Sequence, residues 1–152
     1  MRIVIQRVTQ AAVEIEGTVK GQIGLGLLLL AGFTADDTEE DLKWMAGKVA
    51  GLRIFSDTED KMNLSIKDVN GEVLVISQFT LYASTKKGNR PSYIYAAPPA
   101  VAVPLYERFV ELMEQALGKP VQTGEFGADM KVSLRNDGPV TIVMDTKQKD
   151  LF

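Results

Sequence analysis

The 152-residue chain contains no cysteine and no histidine. Without cysteine there is no disulfide framework, no thiolate nucleophile and no Cys-ligated zinc site. Without histidine every Ser-His or Cys-His arrangement is gone, along with the side chain that most often moves protons near neutral pH. An enzyme built from these residues must use carboxylates, hydroxyls, lysine, water or its own substrate for proton transfer. Long apolar runs are missing too: "LGLLLLAGF" (25–33) is far too short to span a bilayer. The opening "MRIVIQRV" alternates like an amphipathic strand and lacks the charged-then-apolar layout of a secretion signal. The expectation is a cytoplasmic protein with no membrane partner. Nor is there an excess of basic residues. A net charge of −3 argues against wholesale coating of nucleic acid, while a local basic patch stays open.

What is present predicts one domain over 1–152: 45% of the residues are hydrophobic and 24% charged, enough for a substantial core. Residues 2–8 and 11–15 read as two short strands, with Glu16-Gly17 as the turn into "TVKGQIG". The run 27–31 reads as a strand buried on both faces. From Thr38, with Asp41 three residues on as a capping box, Leu42, Met45, Ala46 and Val49 form one helical stripe that Gly51 can close. "LRIF" returns to strand, and "VNGE" (69–72) suits a tight hairpin turn into "VLVIS". A second helix is predicted near 100–117, starting just before Pro104, because proline is tolerated in a first turn. Val103, Tyr106, Val110, Met113 and Leu117 would form its apolar side. Two further strands, 130–135 and 140–145, flank "NDGPVT". The expected architecture is α+β: a mostly antiparallel, curved or barrel-like sheet with two helices.

Four stretches carry candidate chemistry. "SQFTLYAS" (77–84) follows a strand in which Leu74 and Ile76 alternate with Val73 and Val75, so Ser77, Gln78 and Thr80 arrive where a buried strand ends. Freed backbone N–H groups there can point at a ligand, or the strand can simply become a polar loop. Thr80 has no evident base and makes a poor nucleophile. "TKKGNRPS" sets Lys86, Lys87 and Arg90 around a glycine, with Tyr82, Tyr93 and Tyr95 close by. That mixture suits phosphates and unstacked bases, or a solvated loop. "TGEFGADMKV" places Phe126 and Met130 four apart among glycines, as a pocket wall or as ordinary core. Gly138-Pro139 lies between two strand-like runs where a turn needs no proline.

Taken in order, "SQFTLYA", "KKGNRPS", "AAPP…PLYERFVE", "TGEFGADM" and "NDGPVT" resemble the D-aminoacyl-tRNA deacylases, first called D-tyrosyl-tRNA deacylases. "MRIVIQRV" and "LLLLAGF…DTEEDL…LRIF" look like the same family, so the resemblance covers nearly the whole chain. Two departures, Ser84 for a common acidic residue and Tyr93 for a common phenylalanine, flank the basic loop and bear on tRNA preference.

The resemblance implies hydrolysis of the ester joining a D-amino acid, or glycine, to the terminal adenosine of tRNA, with no cofactor and no metal. It implies that Ser77, Gln78, Phe79 and Thr80 frame the ester, the N–H groups of Phe79 and Thr80 serving as oxyanion donors. Phe126 and Met130 would line the adenosine side, and Lys86, Lys87 and Arg90 would meet tRNA phosphates. The substrate's own 2′-hydroxyl would activate the water. Gly138 and Pro139 would form a Gly-cis-Pro motif that enters the partner's active site in a homodimer and excludes L side chains. Two rivals remain: a non-catalytic RNA-binding barrel using the 84–95 loop, and a Thr80-dependent esterase of small esters.

Overall fold

The computed structural model describes residues 1–152. Strand β1 (Arg2–Ile15) turns through Glu16 and Gly17 into β2 (Thr18–Ile23). Both turn residues have positive φ (51° and 78°), the twist that a two-residue antiparallel hairpin needs. Strand β3 (Gly26–Gly32) follows, then helix α1 (Glu39–Gly51). The capping box forms as its spacing predicts: Asp41 N–H donates to Thr38 Oγ1 (3.3 Å), and Thr38 N–H donates to Asp41 Oδ2 (2.8 Å). Burial alone would raise the Asp41 carboxyl, yet hydrogen bonds from Lys147 and Thr38 hold it well below the usual range.

The expected strand at "LRIF" shrinks to β4 (Phe55–Ser56), paired with β5 (Met62–Leu64) in a separate ribbon. The "VNGE" turn is tight but joins no hairpin. Residues 65–69 form a helical turn that ends at Asn70, with φ 52°, and feeds β6 (Glu72–Ser77) alongside β3 in parallel. After a 3-10 turn at Phe79–Tyr82 comes helix α2 (Pro99–Leu117), then β7 (Gln122–Thr123) and β8 (Met130–Asp145). Helix α2 begins at Pro99, close to the expected bound of 100 but too early for Pro104 to fall in its first turn as expected. Pro98 and Pro99 preset the entry, and the N–H groups of Val101 and Ala102 both reach the Pro98 carbonyl (2.9 Å). Pro104 therefore sits inside the helix. It withholds a donor from the carbonyl of Ala100, which is exposed and open to water.

The main sheet runs β2-β1-β3-β6-β7, with β8 on the other side of β1. It is mixed: β1 pairs antiparallel with β2, β3 and β8, whereas β6 is parallel to β3 and β7 to β6. The sheet nearly closes into a barrel, because β2 comes back against β7. A Cβ on Gly21 would stand 2.9 Å from the Thr123 carbonyl oxygen. As the alternation on β6 implied, Val73 and Val75 join the main core under the helices, while Leu74 and Ile76 enter a second cluster with Val8, Val13 and Leu28. That second cluster forms the floor on which the candidate site rests.

The two strands expected at 130–135 and 140–145 are one. Strand β8 follows β1 along its whole length and has no hairpin. Gln6 pairs with Thr141 and Val8 with Asn136, so Asp137, Gly138, Pro139 and Val140 all stand opposite the single residue Arg7. They form a wide bulge, in which the Gly138-Pro139 peptide bond is cis.

Candidate active site

Strand β6 reaches its last partner where Ser77 pairs with Ala31, and the ladder extends one residue further as Gln78 N–H donates to the Ala31 carbonyl (2.7 Å). The chain then bends into the 3-10 turn. Gly32 makes this possible: a Cβ there would lie 2.9 Å from the Gln78 carbonyl oxygen and 3.1 Å from Leu81 Cβ. Inside the turn, Leu81 N–H reaches the Gln78 carbonyl (3.3 Å) and Ala83 N–H the Thr80 carbonyl (3.1 Å). The N–H groups of Phe79 and Thr80 precede this ladder, as the first donors of any helical turn do.

Opposite the turn, the segment before β8 folds back through Gly127, whose φ is 81°. A cleft of about 260 Å3 opens between the two, lined by Ile76, Ser77, Gln78, Phe79, Phe126 and Met130, with Gly127, Ala128 and Val132 completing the wall. Gly124 is buried behind it, and a Cβ there would collide with the Met130 sulfur. Phe126 is braced from the core: its ring lies 6.1 Å from Tyr106, which in turn packs edge-on against Phe33 at 6.4 Å. The Tyr106 hydroxyl donates to the Val75 carbonyl (3.0 Å), and burial pushes its pKa up to about 12.

The structure thus brings together Ser77, Gln78, Phe79, Phe126 and Met130, five residues singled out from two distant stretches. Thr80 stands just outside the lining. Its hydroxyl oxygen accepts from Gln78 Nε2 (2.5 Å). None of the lining side chains carries a charge, so the cleft can orient a substrate, donate N–H groups and cover apolar surface, but it offers no carboxylate, imidazole or amine as a base.

Lys86, Lys87 and Arg90 are exposed on a loop tied at its base by paired hydrogen bonds between Ser84 and Ser92 (2.7 and 2.9 Å). Of the tyrosines near it, Tyr82 is buried with Arg2 4.9 Å above its ring, so only Tyr93 and Tyr95 can meet a base.

Gly138 and Pro139 are exposed and absent from the lining of the chain's own cleft. The bulge is held from below by Arg7, which sequence reasoning did not single out. Arg7 Nε donates to the Asp137 carbonyl (2.9 Å) and lies 3.2 Å from its carboxylate, while Nη1 donates to the Ile54 carbonyl (2.6 Å). Asn136 Nδ2 donates to the Arg7 carbonyl (3.0 Å), and Thr141 Oγ1 donates to Gln6 Oε1. The only signal in the sequence is a charged residue inside the strand-like run "MRIVIQRV"; that its side chain is only 12% exposed is known from the structure alone.

Comparison with known proteins gives a consistent result. Residues 4–145 match the family described as D-Tyr-tRNA(Tyr) deacylase. A D-aminoacyl-tRNA deacylase of Bacteroides thetaiotaomicron is 61% identical over 150 residues, covering 99% of this chain and all of its own length. That of Flavobacterium johnsoniae is 58% identical with the same coverage. Among solved structures, one titled c-Myc DNA Unwinding Element Binding Protein superposes with a TM-score of 0.89 at 38% identity, over 95% of this chain and 98% of its own. A probable eukaryotic D-amino acid tRNA deacylase superposes at 0.81 and 20% identity, over 94% and 97%, a likeness of fold.

Proposed function

The chain belongs to the D-Tyr-tRNA(Tyr) deacylase family, and on that premise we propose that it cleaves its ester with backbone donors and the substrate's own hydroxyl, gated by the bulge of a second subunit. It is a carboxylic ester hydrolase of D-aminoacyl-tRNA. What supports the mechanism is that the turn opened by Phe79 borders a cleft free of ionisable side chains. Water adds to the ester carbonyl carbon, and the two N–H groups hold the oxyanion that forms. The terminal 2′-hydroxyl activates that water. Collapse expels the ribose 3′-oxygen, which takes up the proton that the water gave up. Phe126 and Met130 cover the adenosine, and Lys86, Lys87 and Arg90 meet tRNA phosphates. No metal or cofactor enters, so full activity survives EDTA.

What supports a homodimer is what one chain lacks. Its cleft is smaller than the roughly 300–1,000 Å3 usual for ligand sites, and Gly138-Pro139 lies outside it. Strand β8 pairs only with β1, leaving its other edge free for a second copy. Placed over the partner's cleft, the carbonyls of Gly138 and Pro139 accept from the substrate ammonium and fill the space an L side chain needs. D side chains point outward, and glycine has nothing to clash, so glycyl-tRNA is cleaved.

The deciding experiment is hydrolysis of D-Tyr-tRNA and L-Tyr-tRNA side by side. Rapid release from the first and almost none from the second is expected; equal rates would overturn the gate. The Thr80 esterase is disfavoured, because the only group at that oxygen is the Gln78 amide, a donor and no base.

A further inference from the structure

We propose that the exposed aromatic ledge of Phe79 and Tyr93, with the exposed Tyr95 two residues beyond it, seats the unpaired nucleotides preceding the terminal adenosine of tRNA, whatever their bases. The inference rests on the tRNA-ester reading above and extends it by one contact surface. Phe79 links the two: its ring lines the cleft, yet it remains 55% exposed. Tyr93 packs edge to face against it at 5.1 Å and is itself 41% exposed. Tyr95, two residues on, is 60% exposed and borders a neighbouring hollow beside Arg2, Ser84 and Lys147, with Ile94 between the tyrosines 76% exposed.

Large apolar side chains grouped at the mouth of a site are a surface waiting for a partner. Three observations choose a single-stranded nucleic acid. The ledge is continuous with the cleft, so a chain whose last residue fills the cleft must leave across Phe79. It runs on into the loop of Lys86, Lys87 and Arg90, the charge complement of a phosphate backbone. It is also preorganised. The Ser84–Ser92 pairing fixes one end, while Ala96 N–H on the Tyr93 carbonyl (3.1 Å) and Ala97 N–H on the Phe33 carbonyl (2.9 Å) fix the other. Flat rings beside cations recognise any base by its π-face, and stacking does not depend on base identity. Tyr93 and Tyr95 are therefore positioning residues, which hold the substrate without touching the reacting atoms.

The test compares two ligands and two proteins. Uncharged tRNA should bind wild type about tenfold more tightly than the same tRNA trimmed of its single-stranded 3′ end, as expected for stacking on exposed aromatics. Tyr93→Leu/Tyr95→Leu, which keeps apolar bulk, should lose clearly less than wild type on trimming, keeping only the share due to the terminal adenosine in the cleft, and Tyr93→Phe should behave as wild type. In catalysis the double variant should raise KM for D-Tyr-tRNA about tenfold with kcat unchanged, and leave cleavage of D-tyrosyl-adenosine untouched. Equal losses on trimming in wild type and double variant would overturn the proposal. So would an equal loss on D-tyrosyl-adenosine, or dissociation of a dimer in the variant, which would make the ledge a contact between subunits. If wild type hydrolysed no D-aminoacyl-tRNA at all, the catalytic reading would fail while the binding comparison still decided the ledge.

Discussion

The turn at Ser77–Thr80 and the bulge at Asp137–Val140 are held by opposite means. The turn is the end of β6, a strand buried on both faces, and it is held by Gly32, the Ala31 carbonyl and the packing beneath it. The bulge stands exposed on the outside of β8 and is held by polar contacts from Arg7, Asn136 and Gln6. A catalytic turn needs fixed backbone donors, and a dense core fixes backbone well. A gate reaching another subunit, the role proposed for the bulge, would have to leave its own core, and a hydrogen-bonded net supports the bulge instead. The two regions should therefore fail differently: a change at the exposed tip of the bulge removes activity and spares stability, while damage near the turn, or to the half-buried anchor beneath the bulge, costs both.

The largest effect is expected at Gly138. A Cβ there would collide with the Val140 amide nitrogen, so the bulge must refold locally. Gly138→Ala should lower kcat/KM on D-Tyr-tRNA by about 100-fold or more, the scale of a misplaced positioning group. Its melting temperature should stay within a few degrees of wild type. A variant that melts early with normal activity per folded molecule would erase the contrast between the two regions. Arg7→Ala comes next. It strips the charged donor from the Asp137 and Ile54 carbonyls, so about 1.5–3 kcal/mol of stability should go per hydrogen bond of this kind. Preference for D over L substrate should fall together with activity, measured on paired D- and L-Tyr-tRNA. If selectivity is unchanged, Arg7 serves the strand and not the gate.

How much of this was legible in the sequence follows the same division. The Thr38 capping box, the Glu16-Gly17 turn and the two-faced burial of β6 were read correctly, because each depends on residues a few positions apart. The parallel pairing of β6 with β3 was not, since a continuous apolar run fits either direction. Asn136, Asp137, Gly138 and Pro139 carry every local mark of a turn, and only the long partner β1 makes them a bulge. Arg7 stayed hidden for the same reason: its hydrogen bond to the Asp137 carbonyl spans 130 positions. Both walls of the cleft, in contrast, were named from their motifs.

Two smaller effects sharpen the comparison at the cleft and the loop. Gly124→Ala should push Met130 out of place and raise KM several-fold with little change in kcat, because the wall moves and the donors do not. A fall in kcat alone would move Met130 from the wall to the chemistry. Each of Lys86→Ala, Lys87→Ala and Arg90→Ala should reduce the salt dependence of tRNA binding by under about one unit in log–log slope. If all three together leave the slope unchanged, the loop is merely solvated.

The smallest effect is expected at the residue that looks most like a nucleophile. Thr80 lies beside the proposed oxyanion donors, yet its oxygen accepts a hydrogen bond from Gln78 and no base takes its proton. Thr80→Ala keeps the backbone N–H and removes only the hydroxyl. The Gln78 amide then loses one partner at a half-buried position that water reaches, so kcat should fall less than about fivefold, as for a modest net hydrogen bond. The pH profile gives an independent reading. No lining side chain ionises, so between pH 5 and 9 any inflection in kcat/KM should belong to the substrate's α-ammonium. Thr80→Ala should leave its position unchanged. With the bulge carbonyls accepting from the charged ammonium as proposed, activity should decline as pH rises through the ammonium's pKa. A collapse of kcat in Thr80→Ala, or an inflection that persists when the amine is masked, would mean that the turn acts through a side chain after all.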